Sequence, residues 1–197
     1  MMSLIEPGTI GLVRGTDTVS RMIAAAQWLN GAGSRFACYT HALISVGNLY
    51  HTNGDDGKPN GPTDPDDTWI VEARPSGAVC VWLPHATLSR HAVTWWLPST
   101  DDLGVTYAET AAVAFDHVGT KYSFADYAAI AAHRSGLGYL AHRIDDYVSS
   151  SGHMICSQLV DYCYQLSGYQ LFNDGRLPGS VTPADLARLA CEHGVEV

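Results

Sequence analysis

The sequence predicts an α+β fold, with helices flanking a mainly antiparallel sheet or small barrel. Three observations carry that expectation. Two β-rich runs at 69–73 and 78–83 close around Arg74-Pro75-Ser76-Gly77, a hairpin signal. From His41 to Tyr50, apolar Ala42, Ile44 and Val46 alternate with His41, Leu43 and Ser45, the period of a strand. Near both ends of the chain, apolar residues recur instead every three or four positions, as on one face of a helix.

Taken in order, Thr9-Ile10-Gly11-Leu12-Val13 reads as a short strand. Residues 17–30 follow as a helix with Val19, Met22, Ile23, Ala26 and Leu29 on one stripe. After the strand from His41, residues 52–68 are rich in Gly, Pro and Asp and read as a surface insertion rather than a lid. Beyond the hairpin, 92–97 is a further strand, with Trp95 and Trp96 placing one ring on each face. Thr106-Tyr107-Ala108-Glu109 is a capping-box pattern opening an Ala-rich helix to about Val118. Another helix is expected at 123–133, while 135–150 shows no clear period. Ile155, Leu159, Val160, Cys163 and Leu166 set a helix behind Ser150, Ser151 and Gly152, which can cap it. Residues 171–180 read as a Gly/Pro loop. Thr182-Pro183-Ala184-Asp185 then opens a last helix, with Gly194 past its end. With no repeat, low-complexity tract or linker, 1–197 is expected to be one domain.

Composition excludes several classes of function. A content of 46% hydrophobic and 16% charged residues suits a packed core rather than disorder. A net charge of −9 without a basic cluster argues against nucleic-acid binding and against simple electrostatic docking on an anionic membrane. Five cysteines at irregular spacing suit a reducing compartment. No signal-peptide pattern stands at 1–15 and no apolar stretch is long enough to span a bilayer. The expected location is the cytoplasm where the chain is made, with a phage, a secretion system or lysis as the route to any outside target. Cys38-x-x-His41 and Cys191-x-His193 are fragments of zinc-like spacing that no second pair completes, so no metal or cofactor is expected. The Asp55–Asp67 acids miss the EF-hand spacing and read as a solvated loop.

The chemistry concentrates on three residues. Cys156 falls in the first turn of a helix, where the positive end of the dipole favours thiolate, the nucleophilic form. A small buried cysteine fits the same position equally well. An activated thiol needs a base, and the base an orienting partner. His41 opens a strand, where a side chain can meet a facing helix terminus. Glu72 is the one charge in Trp69-Ile70-Val71-Glu72-Ala73, costly there without a partner unless it lies on an exposed sheet edge.

This order of histidine, acid and cysteine resembles the circularly permuted branch of the papain-like, NlpC-type cysteine hydrolases. Thr40-His41-Ala42-Leu43-Ile44, Val71-Glu72-Ala73 with Gly77-Ala78-Val79, and Ile155-Cys156-Ser157-Gln158-Leu159-Val160 are similar to that branch's strands and cysteine helix. Gly119-Thr120-Lys121-Tyr122 matches its Gly-x-x-Tyr segment, and Val181-Thr182-Pro183-Ala184-Asp185-Leu186 its terminal helix start. Gln158 stands where an acid is common, and the loop at 52–68 is an insertion. The resemblance, which runs from Gly8 to about Leu189, implies a permuted papain-like fold. It implies Cys156 as nucleophile, His41 as base and then acid, Glu72 as the orienter of His41, and Tyr122 as a site-lining residue. The implied activity is hydrolysis of an amide bond through a thioester, with a cell-wall (peptidoglycan) peptide as substrate class. Two alternatives stand beside it: an acyl hydrolase or acyltransferase acting on lipids or thioesters with the same trio, and a non-catalytic structural or wall-binding module.

Overall fold

A computed structural model of the chain describes residues 5–48, 68–74, 77–83, 92–99, 107–120, 155–176 and 180–197. The elements are β1 (Ile10–Val13), α1 (Thr18–Leu29), α2 (Gly33–Ala37), β2 (His41–Gly47), β3 (Trp69–Arg74), β4 (Gly77–Trp82), β5 (Val93–Trp96), α3 (Tyr107–Asp116), α4 (Cys156–Leu166) and α5 (Pro183–Glu192). The strands form one antiparallel sheet in the order β4-β3-β2-β1-β5. The α+β expectation therefore holds, and of its two forms the described residues make an open sheet rather than a closed barrel. The helix expected at 123–133 and the loop at 52–68, Thr68 apart, lie outside the described residues.

Side chains alternate across the sheet and divide the core in two. On one face Ile10, Leu12, Ala42, Ile44, Val46, Val71, Ala73 and Trp96 pack with Ala111 and Ala114 of α3, with Cys156, Leu159, Val160, Cys163 and Tyr164 of α4, and with Leu186, Ala187 and Ala190 of α5. On the other, Val13, Leu43, Ile70 and Leu83 form a smaller cluster with Trp95, Val81 and Val93. Trp95 and Trp96 thus take opposite faces, as their adjacency requires. On α4 the buried row passes through Tyr164, whose hydroxyl donates to Gly8 O at 2.6 Å, while Leu166 is exposed.

The end of β2 and the start of α5 are set by local chemistry. β2 stops at Gly47 in the left-handed region (φ 59°), where a Cβ would press within 2.7 Å of the Pro7 ring. Thr182 caps α5 as its sequence indicates: its hydroxyl accepts from Asp185 N, and Asp185 Oδ2 accepts from Thr182 N at 2.9 Å. Pro183 fills the first helical position.

α1 forms where the sequence indicates, capped by Asp17, but its apolar stripe is not its buried face. Its apolar stripe faces outward, with Val19, Met22, Trp28 and Leu29 exposed, while Ser20 and Gln27 are the buried positions. Hydrogen bonds explain the choice. The Gln27 amide donates from Nε2 to Ala37 O (3.0 Å) and Tyr39 O (2.8 Å), and Oε1 accepts from Ala184 N (3.0 Å). One turn from the start, Ser20 is tied to the Asp17 cap through both N and Oγ. Burying Val19, Met22 and Leu29 instead would gain roughly 1.5–3 kcal/mol each. It would also strand three buried backbone groups at a cost of about 1–3 kcal/mol apiece, so the two effects are of similar size and the hydrogen bonds of Gln27 offset the apolar burial forgone.

Gln27→Ala is accordingly expected to destabilise the protein by about 2–5 kcal/mol, as read from urea unfolding. Substitution of exposed Leu29 by serine should change stability by well under about 1 kcal/mol.

Candidate active site

The site forms where β1 ends and β2 begins. Val13, the last residue of β1, lies opposite His41, the first of β2, and Leu43 lies opposite Glu72 of β3. His41 and Leu43 share a face, and so does Glu72, which brings imidazole and carboxylate together on the diagonal. His41 Nε2 is 3.1 Å from Glu72 Oε2. The carboxylate is fully buried on a strand flanked by β2 and β4, which rules out an exposed edge charge. Its second oxygen is engaged by Arg74, two residues along the same face of β3: Nε donates to Oε1 at 2.8 Å, and Nη2 lies 2.7 Å from the same atom.

Cys156 is the first residue of α4, close enough to the His41 ring to act on it through both charge and a side-chain hydrogen bond. The helix start differs from the capping expected at Ser150, Ser151 and Gly152, which lie outside the described residues. The N-cap position is Ile155, in extended conformation, and Gln158 Oε1 accepts from its backbone N–H at 3.0 Å. Gln158 therefore fills the reach-back role that an acid often takes at the third helical position. Being neutral, it adds no negative charge beside Cys156. Ser157 Oγ donates to Val181 O at 2.7 Å and ties this first turn to the lead-in of α5.

Electrostatics follow from these contacts. Burial alone would push the His41 pKa down, but the charge and hydrogen bond of Cys156, then those of Glu72, outweigh it and lift the ring to about 10. Burial alone would push Glu72 up. Hydrogen bonds and charge from His41 and Arg74 prevail and hold it at about 2. At neutral pH an imidazolium thus stands between sulfur and carboxylate. Cys156 is only 2% exposed and the His41 side chain 23%, so the trio opens to solvent at the imidazole.

Of the four residues singled out in the sequence, three converge; Tyr122 lies outside the described residues. Arg74 was legible only as part of a turn, although its spacing of two from Glu72 already puts both on one strand face. Away from the trio, burial pushes the Cys163 thiol up to about 12 and the Asp161 carboxyl up to about 6, the latter modulated by Arg176 and Asp174. A cleft of about 520 Å³ runs between 169–176 and α5, lined by Phe172, Arg176, Arg188 and His193 among others, and none of the trio lines it. Among the described residues, no three His, Cys, Asp or Glu side chains converge on a possible metal position. No protein-family model matches the chain, and no curated protein matches it.

Glu72 sits below its ordinary 4.5, so its pairing stabilises fully above about pH 4.5 and fades as pH falls toward 2. His41 sits above its ordinary 6.5, so its contribution is complete below pH 6.5 and fades as pH rises toward 10. Glu72→Gln should flatten the acid limb of the thermal-unfolding profile and destabilise by on the order of 1–3 kcal/mol, because both cationic partners keep some solvent contact. In Cys156→Ala, the NMR titration midpoint of His41 should move down toward 6.5.

Proposed function

We propose that the protein is a cysteine hydrolase that cleaves an amide bond through Cys156, His41 and Glu72, with a cell-wall peptide as its substrate class. One observation carries the reading: the His41 ring is held between the Cys156 thiol and a buried, doubly engaged carboxylate. Nε2 is committed to Glu72, which leaves Nδ1 as the nitrogen that exchanges a proton with sulfur.

In this reading the proton rests on His41 and the sulfur attacks the acyl carbon. The carbonyl oxygen takes the displaced electron pair and is met by the backbone N–H groups of Cys156 and Ser157 at the start of α4. As the C–N bond breaks, His41 gives its proton to the leaving amine, and a thioester remains on Cys156. Water then loses a proton to His41 and attacks the thioester. The acid leaves, and the sulfur and the protonated His41 are restored to their starting state. Glu72 keeps the ring oriented and supports its positive charge; Arg74 keeps Glu72 ionised and in place. The peptide assignment leans on the resemblance of the ordered motifs, because the trio would open a lipid ester or thioester equally well.

Iodoacetamide should alkylate Cys156 at pH 6 at least about tenfold faster than Cys38, Cys80 or Cys191, and His41→Ala should abolish the preference. Buried Cys163 is the unreactive control. Alkylation of Cys156 no faster than that of Cys38, Cys80 or Cys191 would remove the basis for nucleophilic activation. On a panel of muropeptides, acyl amides and fatty-acyl esters, Cys156→Ala should lower kcat/KM by about 10⁴-fold or more, and His41→Ala by about 10²–10⁴-fold. Release of fatty acid without amine release would shift the assignment to lipid acyl chemistry.

A further inference from the structure

We propose that Arg74 binds a free carboxylate, terminal or side-chain, on the amine half of the substrate. The proposal deepens the hydrolase reading given above and rests on it.

The observation that carries it is a guanidinium engaged along one edge alone. The group has five N–H donors in a fixed plane. Nε donates to Glu72 Oε1 at 2.8 Å, and Nη2 lies 2.7 Å from the same oxygen, so one edge is committed to the buried carboxylate. The other edge, formed by Nη1 and the second proton of Nη2, meets no protein group among the described residues. Arg74 keeps 33% of its side chain exposed, whereas Glu72 beneath it is closed to solvent. Neutralising Glu72 needs a single cationic donor, which a lysine would supply. The edge left over has the shape that takes a carboxylate through two parallel hydrogen bonds.

Position selects which carboxylate. Leu43 of β2 lies opposite Glu72 of β3. Continuing this register by two residues sets position 74 opposite position 41, so Arg74 and His41 are cross-strand neighbours on one face. On its other side Arg74 lies opposite Gly77, and β4 therefore puts no side chain next to it. The opening at the imidazole, where the His41 side chain is 23% exposed, thus continues onto Arg74. Cys156 acts on the His41 ring from one direction and Glu72 holds Nε2 from another, with Arg74 behind Glu72. In the hydrolase reading the acyl half is fixed at sulfur and the leaving amine takes its proton from the ring. A group beyond the ring therefore meets the amine half. Strands lie about 4.8 Å apart and an extended peptide advances about 3.3 Å per residue, so the carboxylate sits about one or two residues past the cleaved bond.

Binding and turnover are measured separately. In the first arm, Cys156→Ala protein is titrated at pH 6 with N-acetylalanylalanine and with its C-terminal amide, and the His41 ring is followed by NMR. The acid should shift the ring signals saturably and bind about tenfold or more tighter than the amide. Adding Arg74→Lys, which keeps a charge beside Glu72 but lacks the second edge, should remove the preference. In the second arm, muropeptides are compared in pairs: terminal carboxyl free or amidated, and glutamate or glutamine on the amine half. The parent should favour the acid of one pair by about tenfold or more in kcat/KM, chiefly through KM, and that pair identifies the carboxyl as terminal or side-chain. Any loss that Arg74→Lys causes through Glu72 falls on both members of a pair, so the ratio isolates the second edge; it should drop below about threefold. Equal binding of acid and amide, or a preference that Arg74→Lys keeps in full, overturns the proposal. Selective binding of the acid without turnover of any pair supports the carboxylate site and overturns the hydrolase reading instead.

Discussion

A carboxylate inside a sheet must be neutralised, and Glu72 imposes that constraint on everything around it. Left alone at its position between β2 and β4, the charge would cost several kcal/mol or take up a proton. Two cations approach from the same face: His41 across the strand pair and Arg74 from two residues along β3. The register of β2 against β3 is fixed by this pairing as well as by apolar packing. A slip of one residue would turn His41 to the helix-covered face and leave the carboxylate without it. The constraint also determines chemistry, because a ring pinned by one nitrogen presents the other in a defined direction.

Bringing the Cys156 thiol near the His41 ring requires α4 to be held at both ends. α4 is anchored at its far end by Tyr164 on Gly8 and at its start by Ser157 on Val181. α5, which follows Val181, is fastened to α1 and to the approach of β2 by the Gln27 amide. The thiol and the imidazole are thus positioned by two chains of contacts that meet in one buried side chain. Such a polar hub is specific because no apolar substitute of similar volume can satisfy two carbonyls and an N–H together.

How much of this was legible in the sequence varied with the kind of signal. β2, the hairpin and β5 follow from alternation, and α5 from its Thr-Pro-x-Asp start; these are local rules that tertiary contacts reinforce. The His41, Glu72 and Cys156 trio was legible because each residue broke the pattern of its own element: a histidine at a strand start, a lone acid among apolar neighbours, a cysteine ahead of a helix. The orientation of α1 was not legible. Its apolar periodicity is real, but the partners that offset it, at Ala37, Tyr39 and Ala184, lie 10 to 157 residues away in the chain. Five-residue α2 is too short to show a period among the glycines at 31 and 33. Gln158 stood out only as a departure from an expected acid, and the hydrogen bond that its Oε1 accepts from Ile155 N shows the amide filling the same capping role.

The outer border of β4 carries a consequence of its own. Beyond β3, the Ala78 N–H donates to Thr120 O at 2.7 Å and its carbonyl accepts from Gly119 N at 2.8 Å, so the chain just past α3 straps the hairpin there. The approach is close enough that a Cβ on Gly77 would come within 2.7 Å of Thr120 O, at a φ of 125° that suits only glycine. A rim strand with free amides is a template for foreign chains, the first step toward fibrils. The cover over this border therefore depends on empty space at position 77 rather than on any side chain, because a methyl group there would hold the strap away from β4.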